Sequence, residues 1–230
     1  MNILEQELKF APYSFSALNL YKGCARKYKY SKIDKIDPGP RDMTALLKGG
    51  AVHDILDKFP DPSAHKLAPK YQNIFDSFKI TEIGKKYLYS KCIKEHKFGL
   101  NKELKECSYY DKSALFRGAV DFTGIIDNTL HICDWKTGKY KDERYQDYNQ
   151  LVFYSIYFFL KYPELEELKI SFVYIEHNLE NSVILKKINL KSYILELLGL
   201  IESLENDRSF EKNITRLCDY CEFRVHCDSD

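Results

Sequence analysis

Asp134 and Lys136 stand two residues apart in Asp134-Trp135-Lys136-Thr137-Gly138-Lys139, and Asp121 ends the short motif Gly118-Ala119-Val120-Asp121. Side chains alternate across a strand, so Asp134 and Lys136 would point to one face while Cys133 and Trp135 point to the other. Asp121, on the preceding strand of the same hairpin, can reach that face. Two carboxylates converging on a point, with an amine beside them, suit a hard cation and an activated water. Oxygen ligands select magnesium or manganese over softer metals. Such an ion lowers the pKa of bound water and bridges a phosphoryl oxygen, while the lysine positions the water or offsets developing negative charge. A lone Asp-x-Lys is most often solvated decoration. The rarer feature is the order: Gly-x-x-Asp on one strand, a tight turn, Asp-x-Lys-Thr-Gly-Lys, then a helix.

Other residues carry weaker chemical signals. His53 closes Gly50-Ala51-Val52-His53 on a helix, where a lone histidine is usually structural. Gln150 and Tyr154 are four apart and share a helix face, although Tyr154 fits equally into a core stripe with Tyr157 and Phe158. Near the C-terminal end, Cys218-x2-Cys221-x5-Cys227 has the spacing of a metal or iron–sulfur site in a reducing compartment. A fourth ligand is needed, and zinc could take His226 or a distant thiol. Cys92, Cys107 and Cys133 lack ligand spacing and read as core residues. In segment 22–35, Lys22, Arg26, Lys27, Lys29, Lys32 and Lys35 interleave with Tyr21, Tyr28 and Tyr30. That pattern is either a solvated helix face or a groove in which bases stack beside cations.

The elements that must position these residues follow from periodicity. Ser14 is a helix N-cap, with helical spacing through Tyr30; the breaker Asp37-Pro38-Gly39-Pro40 follows. A second helix is expected over 44–59, closed by Pro60 and Pro62, and two helical stretches over 69–98. Strands are expected at 104–110, 115–126 and 130–136, with Asp127-Asn128 as a hairpin turn. A long aromatic helix over 140–162 comes next, then strands at 169–177 and 183–188 around a turn at 178–181, and a helix over 191–204. This order predicts a mixed α/β sheet flanked by helices.

Composition sets the outer limits. The 230 residues hold one sizeable core, and 44% hydrophobic with 30% charged residues is ordinary for a globular protein. A net charge of +1 does not advertise a nucleic-acid binder, but phosphate binding depends on a patch and not on the sum. The longest apolar run, 151–160, is about half the ~20 residues that span a bilayer, so no membrane partner is expected. Residues 1–10 are too polar for a signal peptide; a cytoplasmic location is expected, and with it free thiols in place of disulfides.

These motifs, in this order, resemble the PD-(D/E)XK nuclease superfamily and in particular its RecB-like branch. The resemblance implies a restriction-endonuclease-like fold: an N-terminal helical region over 1–100, a nuclease core over 101–206 and a cysteine segment over 207–230, in one compact unit. It implies that His53, Asp121, Asp134 and the Trp135 carbonyl bind the metal, that Lys136 is catalytic, and that Gln150 and Tyr154 form the Gln-x-x-x-Tyr helix motif. Asp134 stands where many relatives carry Glu, a departure the family pattern allows. Ser14-Phe15-Ser16-Ala17-Leu18, with Tyr21 and Cys24, is similar to the family's N-terminal helix, and Glu106 loosely matches an acidic position before the core strands. Some RecB-like nucleases, including the CRISPR adaptation exonuclease family, hold a 4Fe–4S cluster with one N-terminal and three C-terminal cysteines. Cys24, Cys218, Cys221 and Cys227 match them. The resemblance therefore implies a DNA exonuclease acting on single strands or ends, with magnesium or manganese. CRISPR adaptation or recombination proteins would be its partners, and self-association is allowed. The rival expectations are a phage-type recombination nuclease and a zinc-stabilised nucleic-acid-binding protein without catalysis.

Overall fold

The computed structural model describes residues 3–40, 42–61 and 69–228. Its seven-stranded mixed sheet contains β1 (Tyr13–Ser14), β2 (Cys92–Asn101), β3 (Glu106–Cys107), β4 (Ala114–Ile126), β5 (Thr129–Lys136), β6 (Glu167–Tyr174) and β7 (Leu179–Lys186). The strands run in the order β3-β2-β4-β5-β6-β7, and β1 pairs with β4. The expected α/β sheet flanked by helices is what forms.

Asp127 and Asn128 both take positive φ, 49° and 60°, which suits the two-residue turn joining β4 to β5. From β5 the chain crosses through α6 (Asn149–Lys161) to β6, which pairs parallel to β5. This connection lays α6 on one face of the sheet, where α1 (Phe15–Gly23) and α7 (Leu190–Asn206) join it around Val120, Ile132, Ile156 and Ile170. A second core fills the other face. There α3 (Thr44–Lys58), α4 (Gln72–Lys79) and α5 (Glu82–Leu88) cover Phe122, Cys133, Trp135 and Val173. A fully buried side chain of this size contributes about 1.5–3 kcal/mol, so both faces hold the sheet.

Several boundaries differ from the sequence reading, each for a local reason. Residues 92–101 form β2 and not the end of a helical stretch. Their alternation is broken at Glu95, whose φ is +46°. His96 packs on Tyr157 and Phe158 of α6, whereas Lys94 reaches Leu56 and Phe59 carbonyls on the opposite face. The strand expected at 104–110 shortens to β3, because the Asn101 side chain accepts from Glu103 N and Lys105 N and builds a turn. The helix expected from residue 140 starts only at Asn149. Asp142 and Asp147 accept from the main chain two residues on and favour turns before it. Ser14 does cap α1, accepting from Ala17 N at 3.3 Å, but the helix breaks at extended Cys24 before α2 (Ala25–Tyr28). β7 begins at Leu179, within the expected turn at 178–181. Pro62 lies outside the described residues.

The two ends of the described chain pack together. Glu205 of α7 accepts from Lys9 N, Phe10 N and the Tyr13 hydroxyl. Tyr28 stacks on Phe210, Tyr30 packs on Phe223, and Tyr21 donates to Asp207. These contacts correct the base-stacking reading of segment 22–35: Tyr28 and Tyr30 are buried in the fold. Lys27 and Lys29 pair with Glu222 and Asp34.

Candidate active site

The site forms where the sheet forks. β5 pairs with β4 only from Phe122 onward, and β1 pairs with it at Phe116 and Arg117. Between those contacts, residues 118–121 have no strand partner on that edge. Asp121 occupies the mouth of the fork, and its Oδ2 accepts the Trp135 N–H at 2.7 Å. Trp135 is anchored from below, with its ring edge-on to Tyr87 and Phe78 in the second core. Its main chain is thereby held toward the site.

Asp134 and Lys136 share the α6 side of β5, as alternation requires. Lys136 Nζ lies 2.6 Å from Asp134 Oδ2, and Gln150 Nε2 donates to Asp134 Oδ1 at 3.0 Å. Lys136 also sits over the Phe172 ring at 4.7 Å, which fixes its stem. Tyr154 is both a core residue and a neighbour of the site. Its ring packs on Phe98 and Phe116, its hydroxyl bonds the Gln150 side chain, and burial pushes its pKa up to about 12.

His53 arrives from the opposite face. On α3, Val52, Ile55 and Leu56 are buried while His53 lies at the edge of that stripe. A Cβ built on Gly49 would meet Thr137 Oγ1 at 3.3 Å, so this small residue lets the helix approach the end of β5. His53 Nε2 stands 3.0 Å from the Trp135 carbonyl, and Nδ1 lies 3.5 Å from Asp121 Oδ1.

Glu95, a residue the sequence reading missed, belongs to the same cluster. Ligand atoms of His53, Glu95 and Asp121 all lie within 4.8 Å of one another, and Asp134 is outside this triad. The sequence signal was faint, because Glu95 has no motif and interrupts the alternation of its strand. Glu106 is elsewhere, on β3, where it accepts from Tyr157 and Lys161.

Charge is concentrated here beyond what the protein alone balances. Burial, reinforced by repulsion from Asp121, raises the Asp134 pKa, against the pull of Lys136 and His53. Burial and the Asp121 and Asp57 carboxylates raise that of Glu95. Burial opposes charge on His53, yet Asp121, Asp134 and the Trp135 carbonyl hold its pKa above the ordinary value. Such an arrangement favours a bound cation.

At the chain ends, Cys24, Cys218, Cys221 and Cys227 all line one cavity of about 320 Å³. No disulfide joins them. Cys92 and Cys107 are half-buried and Cys133 is buried, away from this cavity. Among the described residues no helix is long and apolar enough to cross a membrane.

Among curated proteins no relative matches. One solved structure, "Crystal structure of SSO0001", shares 15% identity, covers 97% of this chain and 89% of its own, and superposes with a TM-score of 0.44. The family model of the PD-(D/E)XK nuclease superfamily matches residues 12–228, so nearly the whole chain fits it, including the fork and the residues around it. This chain belongs to the PD-(D/E)XK nuclease superfamily.

Proposed function

We propose that the protein is a divalent-metal-dependent DNA exonuclease that hydrolyses phosphodiester bonds of single strands or DNA ends. The observation that carries this reading is the meeting of His53, Asp121, Asp134 and Lys136, from α3, β4 and β5, at one fork in the sheet. His53, Asp121, Asp134 and the Trp135 carbonyl would hold magnesium or manganese. When bound, that ion supplies an activated water and neutralises charge on the phosphoryl group. Lys136 holds the attacking water or offsets negative charge as it develops on phosphate. Gln150 fixes the Asp134 carboxylate, and the Tyr154 hydroxyl, protonated at neutral pH, steadies Gln150. Beyond Lys136, a cleft lined by Ala45, Lys48, Thr137, Gly138, Lys139, Glu176 and His177 offers Lys139 and main-chain contacts for neighbouring phosphates, while Lys48 there is paired with Glu176 at 2.6 Å.

Cys24, Cys218, Cys221 and Cys227 would hold a 4Fe–4S cluster, a reading that rests on the resemblance and on their lining one cavity. The cluster's role is to clasp residues near the two ends of the chain. By its resemblance the nuclease trims DNA in CRISPR adaptation alongside adaptation proteins, and phage recombination is the alternative pathway for the same chemistry.

End-labelled single-stranded DNA incubated with manganese tests the enzyme reading. The wild type should shorten it from an end, and Lys136→Ala should be slower by about 10²–10³. Equal degradation by both proteins overturns the assignment.

A further inference from the structure

We propose that Glu95 is a ligand of the divalent cation, sharing it with Asp121 and His53 on the side of the site away from Lys136. The inference rests on the metal-dependent reading above and adds a residue to it.

Pairing of β2 with β4 keeps one register through Lys94–Phe122 and His96–Val120, which sets Glu95 directly across from Asp121. At this step both strands change sides. Val120 lies in the core under α6, and Phe122, two residues on, lies in the core under α3. His96 and Lys94 divide in the same way on β2. Paired strands that switch faces together lose no register, but each must turn one residue out of the pleat. On β2 that residue takes φ +46°, a conformation few non-glycine residues adopt. The outcome is a Glu95 carboxylate opposite an Asp121 carboxylate, a like-charge pair that destabilises a sheet unless something lies between them.

The surroundings specify what that is. Among the described residues the Glu95 carboxylate makes no hydrogen bond and no ion pair within 4.0 Å, while the nearby Lys94 amine turns to main-chain carbonyls of Leu56 and Phe59. Asp57, one helical turn after His53, adds negative field from α3. Asp134 would meet the cation from the Lys136 side, where Lys136 and Gln150 each hold one of its oxygens and leave a lone pair on each. The compact triad that remains is one imidazole and two carboxylates, a set suited to manganese or magnesium.

Calorimetric titration of manganese into metal-free protein tests this, with wild type, Glu95→Gln and Asp121→Asn compared. Glu95→Gln should weaken manganese binding about tenfold or more. Its melting temperature in chelator should equal or exceed that of the wild type, because a like charge has been removed. Wild-type affinity in Glu95→Gln, with binding lost in Asp121→Asn, overturns the role of Glu95 and leaves the metal site standing. Unchanged affinity in both variants overturns the metal-site reading itself. A lower metal-free melting temperature with unchanged affinity marks Glu95 as structural and also overturns the proposal. If Glu95→Gln does not fold, Glu95→Gly, which accepts the positive φ, carries the same comparison.

Discussion

Gly118 lies against the edge of the Tyr154 ring: a Cβ at this position would come within 2.7 Å of Tyr154 Cε1 and 2.6 Å of Phe98 Cζ. The glycine of the Gly-x-x-Asp motif is therefore a packing requirement set jointly by Phe98 of β2 and Tyr154 of α6. Gly118→Ala should cost about 1–3 kcal/mol through overpacking, measured by denaturant melts. Adding Phe98→Leu should recover part of that loss, and no recovery would show that the ring contacts are not the cause.

Gln150→Ala should slow nuclease turnover about 10–100-fold while far-UV circular dichroism stays unchanged, because Asp134 loses the donor that fixes its Oδ1. End-labelled DNA assays read the rate. Wild-type turnover would remove Gln150 from the site.

The charge balance around Glu180 predicts a pH dependence of stability. It accepts from Lys86, Lys169, Ser171 and Tyr87, and despite burial these partners hold its pKa at about 2, below the ordinary 4.5. A depressed carboxylate pKa contributes stability that is complete above the unfolded value and is lost as pH falls toward the folded one. Glu180→Gln should therefore be less stable by about 1–3 kcal/mol at pH 7. The gap to wild type should close between pH 4.5 and about 2 in thermal melts across pH.

Anaerobically purified protein should be brown, with broad visible absorption that Cys218→Ala removes. Colourless protein carrying one equivalent of zinc would replace the cluster with a zinc site. Cys218→Ala should also melt at a lower temperature, but the ends should stay docked, since Glu205 and the Tyr28–Phe210 stack hold them independently.

The sequence by itself determined the strand pair and its turn, the placing of Asp134 and Lys136 on one face, and the cysteine spacing. These are local properties: a two-residue alternation, a turn whose residues tolerate positive φ, and ligands a few positions apart. Tertiary structure alone decided the rest. The break in alternation at Glu95 hid β2, because a paired change of faces cannot be seen in either strand separately. The aromatic residues of segment 22–35 looked accessible to bases until Phe210 and Phe223, nearly two hundred residues later, covered them. Even at Asp121, Asp134 and Lys136, the residues most legible from sequence, the fold changed the grouping. Lys136 and Gln150 draw Asp134 to one side, and Glu95 joins His53 and Asp121 on the other, because the sheet opens between β1 and β5 at that point.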